Sequence, residues 1–204
     1  MIKNLVLDIG NVICEWNPQA LSASVINDSA AQQALIDVTV KHSEWLALDK
    51  GTISLDDAIS NAQARTKIDK AAVAGFYHNL PASLVALAPT VKGMYRAHAA
   101  GVPMYILSNM QNHSWTYLKK HQPCFGLCTG HVISAEANLI KPDPAIYKHL
   151  TDTFNLKPEE CVFVDDMPEN IEAAKACGWH GRQMNNTLQG GAIIDELVEQ
   201  VLAG

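Results

Sequence analysis

Four short apolar runs stand out along the chain, at residues 5–7, 104–107, 132–133 and 162–164. Each run is too short for a buried helix, and each is followed by polar residues. This pattern is typical of buried strands in a parallel sheet. Because a helix signal follows each run, the sequence predicts an α/β fold with a doubly wound, Rossmann-like parallel sheet.

The helix signals are prolines at the starts and glycines at the ends of amphipathic stretches. One helix is predicted after Pro89 and ends at Gly101, a second covers about residues 144–154, a third begins at Pro168 and ends before Gly178, and the last covers about residues 193–202. These helices supply the crossovers that connect parallel strands.

The stretch from residue 15 to residue 85 breaks this alternation. It has no convincing strand pattern but several helical segments, and one of them opens with Ser54-Leu55-Asp56-Asp57, which resembles a capping box. A segment of this length is far too long for a loop between a strand and a helix. We therefore predict an α/β core of residues 1–14 and 86–204, with a helical cap of residues 15–85 inserted between the first and second strands.

Composition excludes several function classes. The 204 residues carry a formal net charge of −6 with no dense Lys/Arg cluster, which argues against nucleic acid as a partner. No apolar run approaches the roughly 20 residues that span a membrane, and the apolar part of the N-terminus is too short for a secretory signal. The five cysteines, an odd number, suit reduced thiols. We expect a cytoplasmic protein that is a monomer or a dimer.

Polar residues follow the four predicted strands where ligands bind in open α/β sheets. They are Asp8, the pair Ser108-Asn109, Lys141, and the pair Asp165-Asp166. Taken singly, each could be a turn, cap or loop residue. Together they supply a nucleophilic carboxylate, a hydroxyl donor, a cation and an acidic pair. That set matches phosphoryl transfer through an aspartyl phosphate.

A carboxylate repels a phosphate dianion, so this chemistry needs a divalent cation. Magnesium prefers oxygen ligands, which Asp8, Asp166 and the carbonyl of Gly10 can provide. Asp165 can bind a coordinated water or orient its neighbour, with Asn170 as a hydrogen-bonding partner behind the ligands. Ser108, the backbone N–H groups at Asn109 and the ammonium of Lys141 would hold the phosphate oxygens.

Four segments resemble the motifs of haloacid dehalogenase-like hydrolases: LDIGNVI at 7–13, LSN at 107–109, KPDPAIY at 141–147 and VDDMPEN at 164–170. The first motif looks most like that of phosphatases acting on glucose 1-phosphate, a subgroup similar to the N-terminal phosphatase domain of soluble epoxide hydrolases. The resemblance implies that Asp8 is the nucleophile, that Ser108 and Lys141 bind phosphate, and that Mg²⁺ is bound by Asp8, Gly10 and Asp166. It implies a small phosphorylated substrate, with a sugar 1-phosphate favoured.

One position departs from that pattern. Most phosphatases of this superfamily have a second aspartate two residues after the nucleophile, which protonates the leaving oxygen, and here that residue is Gly10. Without this acid, esters with acidic leaving groups should be cleaved best.

Two alternatives stay open, a 2-haloacid dehalogenase and a non-catalytic protein that binds a phosphate ligand. A dehalogenase has no use for Asp165-Asp166, because halide departs without a metal. Cap residues that could face the site are Glu15, Trp16, His42, Trp45, Lys50 and Tyr77, and Trp45 and Tyr77 are equally plausible as parts of the cap core.

Overall fold

The computed structural model describes residues 1–203, so Gly204, the last residue of the predicted core, lies outside it. Five parallel strands form one sheet in the order β3-β2-β1-β4-β5. Their bounds are β1 Asn4–Leu7, β2 Met104–Ser108, β3 Gly130–Ile133, β4 Cys161–Asp165 and β5 His180–Gln183. The predicted α/β class and its four strands are confirmed.

The fifth strand is the element that the hydrophobic pattern misses. His180–Gln183 contains no apolar side chain and is half-buried to exposed along its length. It lies at the edge of the sheet and pairs only with β4. An edge strand of this kind is held by backbone hydrogen bonds to its neighbour and does not depend on buried apolar side chains. It therefore has no apolar run from which the strand could be predicted.

Helices cover both faces of the sheet. The face that bears Leu5 and Leu7 packs against α6 (Ala88–Ala99), α7 (Asn112–His121) and α11 (Gly190–Leu202). The opposite face, which bears Val6, packs against α9 (Pro144–Phe154) and α10 (Pro168–Ala176). The four predicted core helices correspond to α6, α9, α10 and α11. Throughout residues 1–203, no helix has both the length and the apolar character needed to cross a membrane.

Five helices occupy the chain between β1 and α6. They are α1 Pro18–Ala23, α2 Ser29–Val38, α3 Ser43–Asp49, α4 Leu55–Ala64 and α5 Lys70–Ser83, and the short α8 Ser134–Ala137 follows β3. Ser54 caps α4 as predicted, since its Oγ accepts a hydrogen bond from the Asp57 N–H at 3.0 Å.

The two ends of the cap segment lie side by side. The N–H of Glu15 donates to the carbonyl of Val85 at 2.8 Å, and the N–H of Leu87 donates to the carbonyl of Ile13 at 2.8 Å. The chain therefore leaves the core and returns to it at one place, as an insertion should. The division at residues 15 and 85 stays a prediction.

Candidate active site

The carboxyl ends of three neighbouring strands bring the predicted residues together. Leu7 pairs in register with Ile106 and with Val164, so Asp8, Ser108 and Asp165 emerge at the same edge of the sheet. A cavity of about 280 Å³ opens there. Seven of the eight predicted site residues line it, namely Asp8, Gly10, Ser108, Asn109, Lys141, Asp166 and Asn170. Asp165 lies behind them and is fully buried.

Lys141 lies between two carboxylates. Its Nζ is 2.9 Å from Oδ1 of Asp8 and 2.6 Å from Oδ2 of Asp165, and all three side chains are buried. Burial lowers the pKa of Lys141, but the two carboxylates outweigh it and hold that pKa above its ordinary value. The ammonium is therefore a permanent positive charge in the cavity wall, next to the predicted nucleophile.

Asn109 fixes the backbone of Lys141. Its Oδ1 accepts a hydrogen bond from the Lys141 N–H at 2.8 Å, and its Nδ2 donates to the Lys141 carbonyl at 3.0 Å. The amide is thus occupied by protein, although Asn109 was predicted to bind phosphate. A phosphate contact from this residue would have to come from its backbone N–H. The phosphate-binding role stays a prediction, while the contacts show a positioning role for the side chain.

Asp165 orients the residues around it. Its Oδ1 accepts from the Met167 N–H at 2.8 Å and from Asn170 Nδ2 at 3.0 Å, and its Oδ2 accepts from Lys141 Nζ. These bonds use most of its acceptor capacity. The contacts therefore favour the orienting role that the sequence allows for Asp165, and they place Asn170 behind the predicted ligands. Metal ligation by Asp165 stays a prediction.

Asp166 is positioned from the first motif. Asn11 adopts a left-handed backbone conformation with φ of 53°, which asparagine tolerates better than most residues. Its Nδ2 donates to Oδ2 of Asp166 at 3.0 Å, while its Oδ1 accepts from the Trp16 N–H at 3.0 Å. Asn11 thereby ties the start of the cap segment to the acidic pair.

The acidic residues fit a divalent cation. Asp8, Asp165 and Asp166 each offer an oxygen, and these oxygens lie within 4.8 Å of one another. Burial raises the pKa of Asp8 and of Asp166 above the ordinary range. Lys141 acts in the opposite direction on both carboxyls, as does Ser108 on Asp8 and Asn11 on Asp166. Oδ1 of Asp8 is buried and contacts the Lys141 ammonium at 2.9 Å without an aligned hydrogen bond. A hard cation among the three carboxylates would offset their charge, and carboxylate oxygens are the ligands that Mg²⁺ prefers.

The other wall of the cavity comes from the cap segment. It consists of Trp16, Trp45, Asp49, Leu80 and Leu84. The rings of Trp16 and Trp45 are stacked with centroids 5.8 Å apart. Tyr77 is buried in the cap, the alternative that the sequence left open for it, and its ring lies 5.9 Å from that of Trp45.

Asp49 is the site residue that the sequence analysis missed. It ends α3, is only 7% exposed, and lies near the side chain of Gln111, another residue that lines the cavity. Burial raises the pKa of Asp49 to about 7. A carboxylate at the C-terminal end of a helix is unfavourable because of the helix dipole. That unusual placement is the one local signal of its role.

Comparisons with known proteins identify the family of this chain. The haloacid dehalogenase-like hydrolase family matches residues 2–178. A sesquiterpene phosphatase of Aspergillus oryzae is 24% identical over 91% of each chain. A (S)-2-haloacid dehalogenase of Pseudomonas putida is 31% identical over 53% of this chain and 47% of its own.

Solved structures show the same fold. An enzyme of this family from Bacteroides thetaiotaomicron, crystallised with magnesium and inorganic phosphate, has a TM-score of 0.70 and 19% identity, covering 90% of this chain and 94% of its own. Together with the family match over most of the chain, this establishes that the protein belongs to the haloacid dehalogenase-like hydrolases.

Proposed function

We propose that this protein is a magnesium-dependent phosphatase that hydrolyses a small phosphorylated metabolite through an aspartyl phosphate on Asp8. The observation that carries the proposal is the acidic cluster of Asp8, Asp165 and Asp166 beside the buried ammonium of Lys141. A phosphate dianion needs positive charge beside the nucleophile. The ammonium of Lys141 is one such charge, and a metal ion bound by the acidic cluster would be the second.

The residues divide the work of phosphoryl transfer. An oxygen of Asp8 attacks phosphorus while the bond to the leaving oxygen breaks. Lys141 and the hydroxyl of Ser108 hold the oxygens over which charge spreads. Mg²⁺, held by Asp8, Asp166 and the Gly10 carbonyl, supplies charge neutralisation when it is bound. Asn109 and Asp165 keep Lys141 in place through the contacts described above.

The relatives include a phosphatase and a dehalogenase, and the acidic cluster favours the phosphatase reaction. One similar protein is a phosphatase, and the similar structure from B. thetaiotaomicron contains magnesium and phosphate. The similarity to the P. putida dehalogenase keeps that reaction as the second candidate. Displacement of halide needs no metal, so a dehalogenase gives no reason for the acidic cluster. A protein that only binds phosphate gives no reason for the buried nucleophile.

The proposed substrate is a sugar phosphate, with sugar 1-phosphates placed first because of the resemblance in the first motif. Two features of the cavity support a small polar molecule. Its volume of about 280 Å³ lies just below the usual range of ligand pockets. Its wall combines the stacked Trp16 and Trp45 rings with the polar groups of Asp49 and Gln111, which suits the apolar face and the hydroxyls of a sugar.

The test is an Asp8→Asn variant assayed with an aryl phosphate and with a sugar 1-phosphate, with Mg²⁺ and with chelator. We expect wild-type turnover that depends on Mg²⁺ and turnover at background in the variant. Asp152→Asn is the matched control, because that carboxylate is exposed and paired with Lys148. Release of halide that ignores chelator would instead establish a dehalogenase, and hydrolysis that survives Asp8→Asn would refute the assignment.

A further inference from the structure

Three carboxyl groups line the cavity in the described part of the chain, those of Asp8, Asp49 and Asp166. The proposed reaction uses Asp8 as the nucleophile and Asp166 as a metal ligand, so Asp49 has no role in it. The reaction also lacks a group that protonates the leaving oxygen, because Gly10 has no side chain. An unassigned carboxyl and an unfilled chemical role therefore occur in the same cavity.

The backbone of Asp49 is fixed to the core. The hydroxyl of Ser134 donates a hydrogen bond to the Asp49 carbonyl, and its oxygen accepts one from the Met110 N–H at 2.8 Å. Met110 follows Ser108 by two residues, so a single side chain links Asp49 to the loop that carries the phosphate-binding hydroxyl. Gly51, with φ of +74°, packs so closely that a Cβ would lie 2.5 Å from the carbonyl oxygen of Ala135. A catalytic side chain needs this kind of support to hold its position.

The surroundings of the Asp49 carboxyl suit a group that exchanges a proton. The side-chain amide that lowers its pKa is that of Gln111, whose Oε1 accepts from Ser114 and whose nitrogen is therefore free to donate. Within the described chain no Lys, Arg or His nitrogen lies within 4 Å of it. The pKa of the Asp49 carboxyl is raised to about 7, mainly by burial and also by the charge of Asp8, while Gln111 and Lys141 act to lower it. A pKa near the working pH is what a general acid and base requires.

We propose that Asp49 is the general acid and base of this enzyme, acting from the cap segment in the role that Gly10 leaves open. This inference rests on the proposed phosphatase function. A buried carboxyl at the end of a helix, without a cation, costs stability and has no structural purpose that an amide or an apolar residue would not serve better. Its place in the cavity that also holds the nucleophile accounts for that cost.

The proton balance is complete in two steps. As Asp8 attacks phosphorus, the bond from phosphorus to the leaving oxygen breaks, and that oxygen takes the proton of Asp49 and departs as a neutral alcohol. The Asp49 carboxylate then removes a proton from water as the water oxygen attacks the phosphorus of the aspartyl phosphate. The bond from phosphorus to Asp8 breaks, inorganic phosphate forms, and both side chains return to their starting states.

The test is Asp49→Asn, which keeps the shape and can still pair with Gln111. Wild type and variant are assayed with Mg²⁺ on alkyl and aryl phosphates of graded leaving-group acidity, with rapid-quench measurement of the first turnover. We expect kcat/KM for alkyl esters to fall by about 10²-fold or more, and that for p-nitrophenyl phosphate to change little. Because the second step also loses its base, the variant should release one equivalent of p-nitrophenol in a burst before slow turnover.

Two further variants exclude a purely structural effect. Asp56→Asn removes an exposed carboxylate of the same cap segment and should behave as wild type. Gly10→Asp in the Asp49→Asn background puts an acid on the core side, where an added Cβ meets nothing closer than Trp16 Cβ at 3.9 Å, and should restore alkyl ester hydrolysis.

The outcomes separate this inference from the proposed function. An unchanged leaving-group dependence in Asp49→Asn, or an equal loss on all esters without a burst, overturns the role of Asp49. Loss of activity in Asp8→Asn would in that case leave the phosphatase assignment standing. A wild-type protein that hydrolyses none of the esters overturns both.

Discussion

Asp49→Asn should also change how stability depends on pH, and this effect is independent of any enzymatic activity. The pKa of the Asp49 carboxyl is raised from its ordinary 3.8 to about 7 in the folded protein, mainly by burial. Between these two values the unfolded chain has lost the proton and the folded protein has kept it. Folding is therefore favoured less as the pH rises through this window.

The size of the effect follows from the shift. One pKa unit corresponds to about 1.4 kcal/mol, so the full shift of roughly three units corresponds to about 4 kcal/mol between pH 4 and pH 7. Over the more convenient interval from pH 5 to pH 7, wild type should lose about 2–3 kcal/mol relative to Asp49→Asn. The variant has no proton to lose at this position, and its amide keeps the contact with Gln111. Asp8 is present in both proteins, so its own titration largely cancels in the difference.

The assay is urea unfolding of both proteins at pH 5, 6, 7 and 8, in chelator so that metal binding does not contribute. Tryptophan fluorescence and circular dichroism should give the same transition if unfolding is two-state. The difference in free energy of unfolding should grow in favour of the variant up to about pH 7 and then level off. The Asp56→Asn control should show no such trend. Parallel curves for wild type and Asp49→Asn would refute the conclusion that burial keeps this carboxyl protonated.

Two other predictions concern the charge cluster and the docking of the cap segment. Lys141→Met should abolish turnover and lower the free energy of unfolding by about 3–5 kcal/mol, because it leaves Asp8 and Asp165 buried without their cation. The control is Lys148→Met, at an exposed ion pair, which should lower the free energy of unfolding by less than about 1 kcal/mol in the same urea titration. Gly51→Ala should displace Asp49 and so lower the hydrolysis of alkyl phosphates more than that of aryl phosphates. Gly101→Ala, with the same φ of +74° but open space around the added Cβ, should affect stability alone. Equal kinetics in the two variants would argue against a close fit at Gly51.

The core chemistry could be predicted from the sequence because each residue follows a buried strand. In a parallel sheet the strand ends meet at one edge, so Asp8, Ser108 and Asp165 are brought together by topology alone. The short apolar runs identify these strands without any knowledge of tertiary contacts. The edge strand β5 was not predicted, because its side chains are all polar and its composition gives no sign that it pairs with β4.

The roles of individual side chains were harder to predict, because they depend on contacts distant in sequence. Asn109 was expected to bind phosphate through backbone N–H groups, and the second role of its side chain, which holds the backbone of Lys141 32 residues away, was not predicted. Asp49 was missed because its position depends on Ser134, which is 85 residues distant. Local patterns report burial and helix ends, and they do not report which loop a cap residue faces.

The dependence of Asp49 on Ser134 gives the cap segment a definite part in the proposed reaction. The nucleophile and the cation belong to the sheet edge. The proposed acid belongs to the cap segment, and the Ser134 hydroxyl holds its backbone carbonyl against the core. The same docking buries the carboxyl, which raises its pKa toward neutrality and so makes it competent to give a proton. The packing of the cap segment on the core therefore contributes to both the position and the acidity of the proposed acid, and a cap segment held away from the core would leave Asp49 exposed to water as an ordinary ionised aspartate.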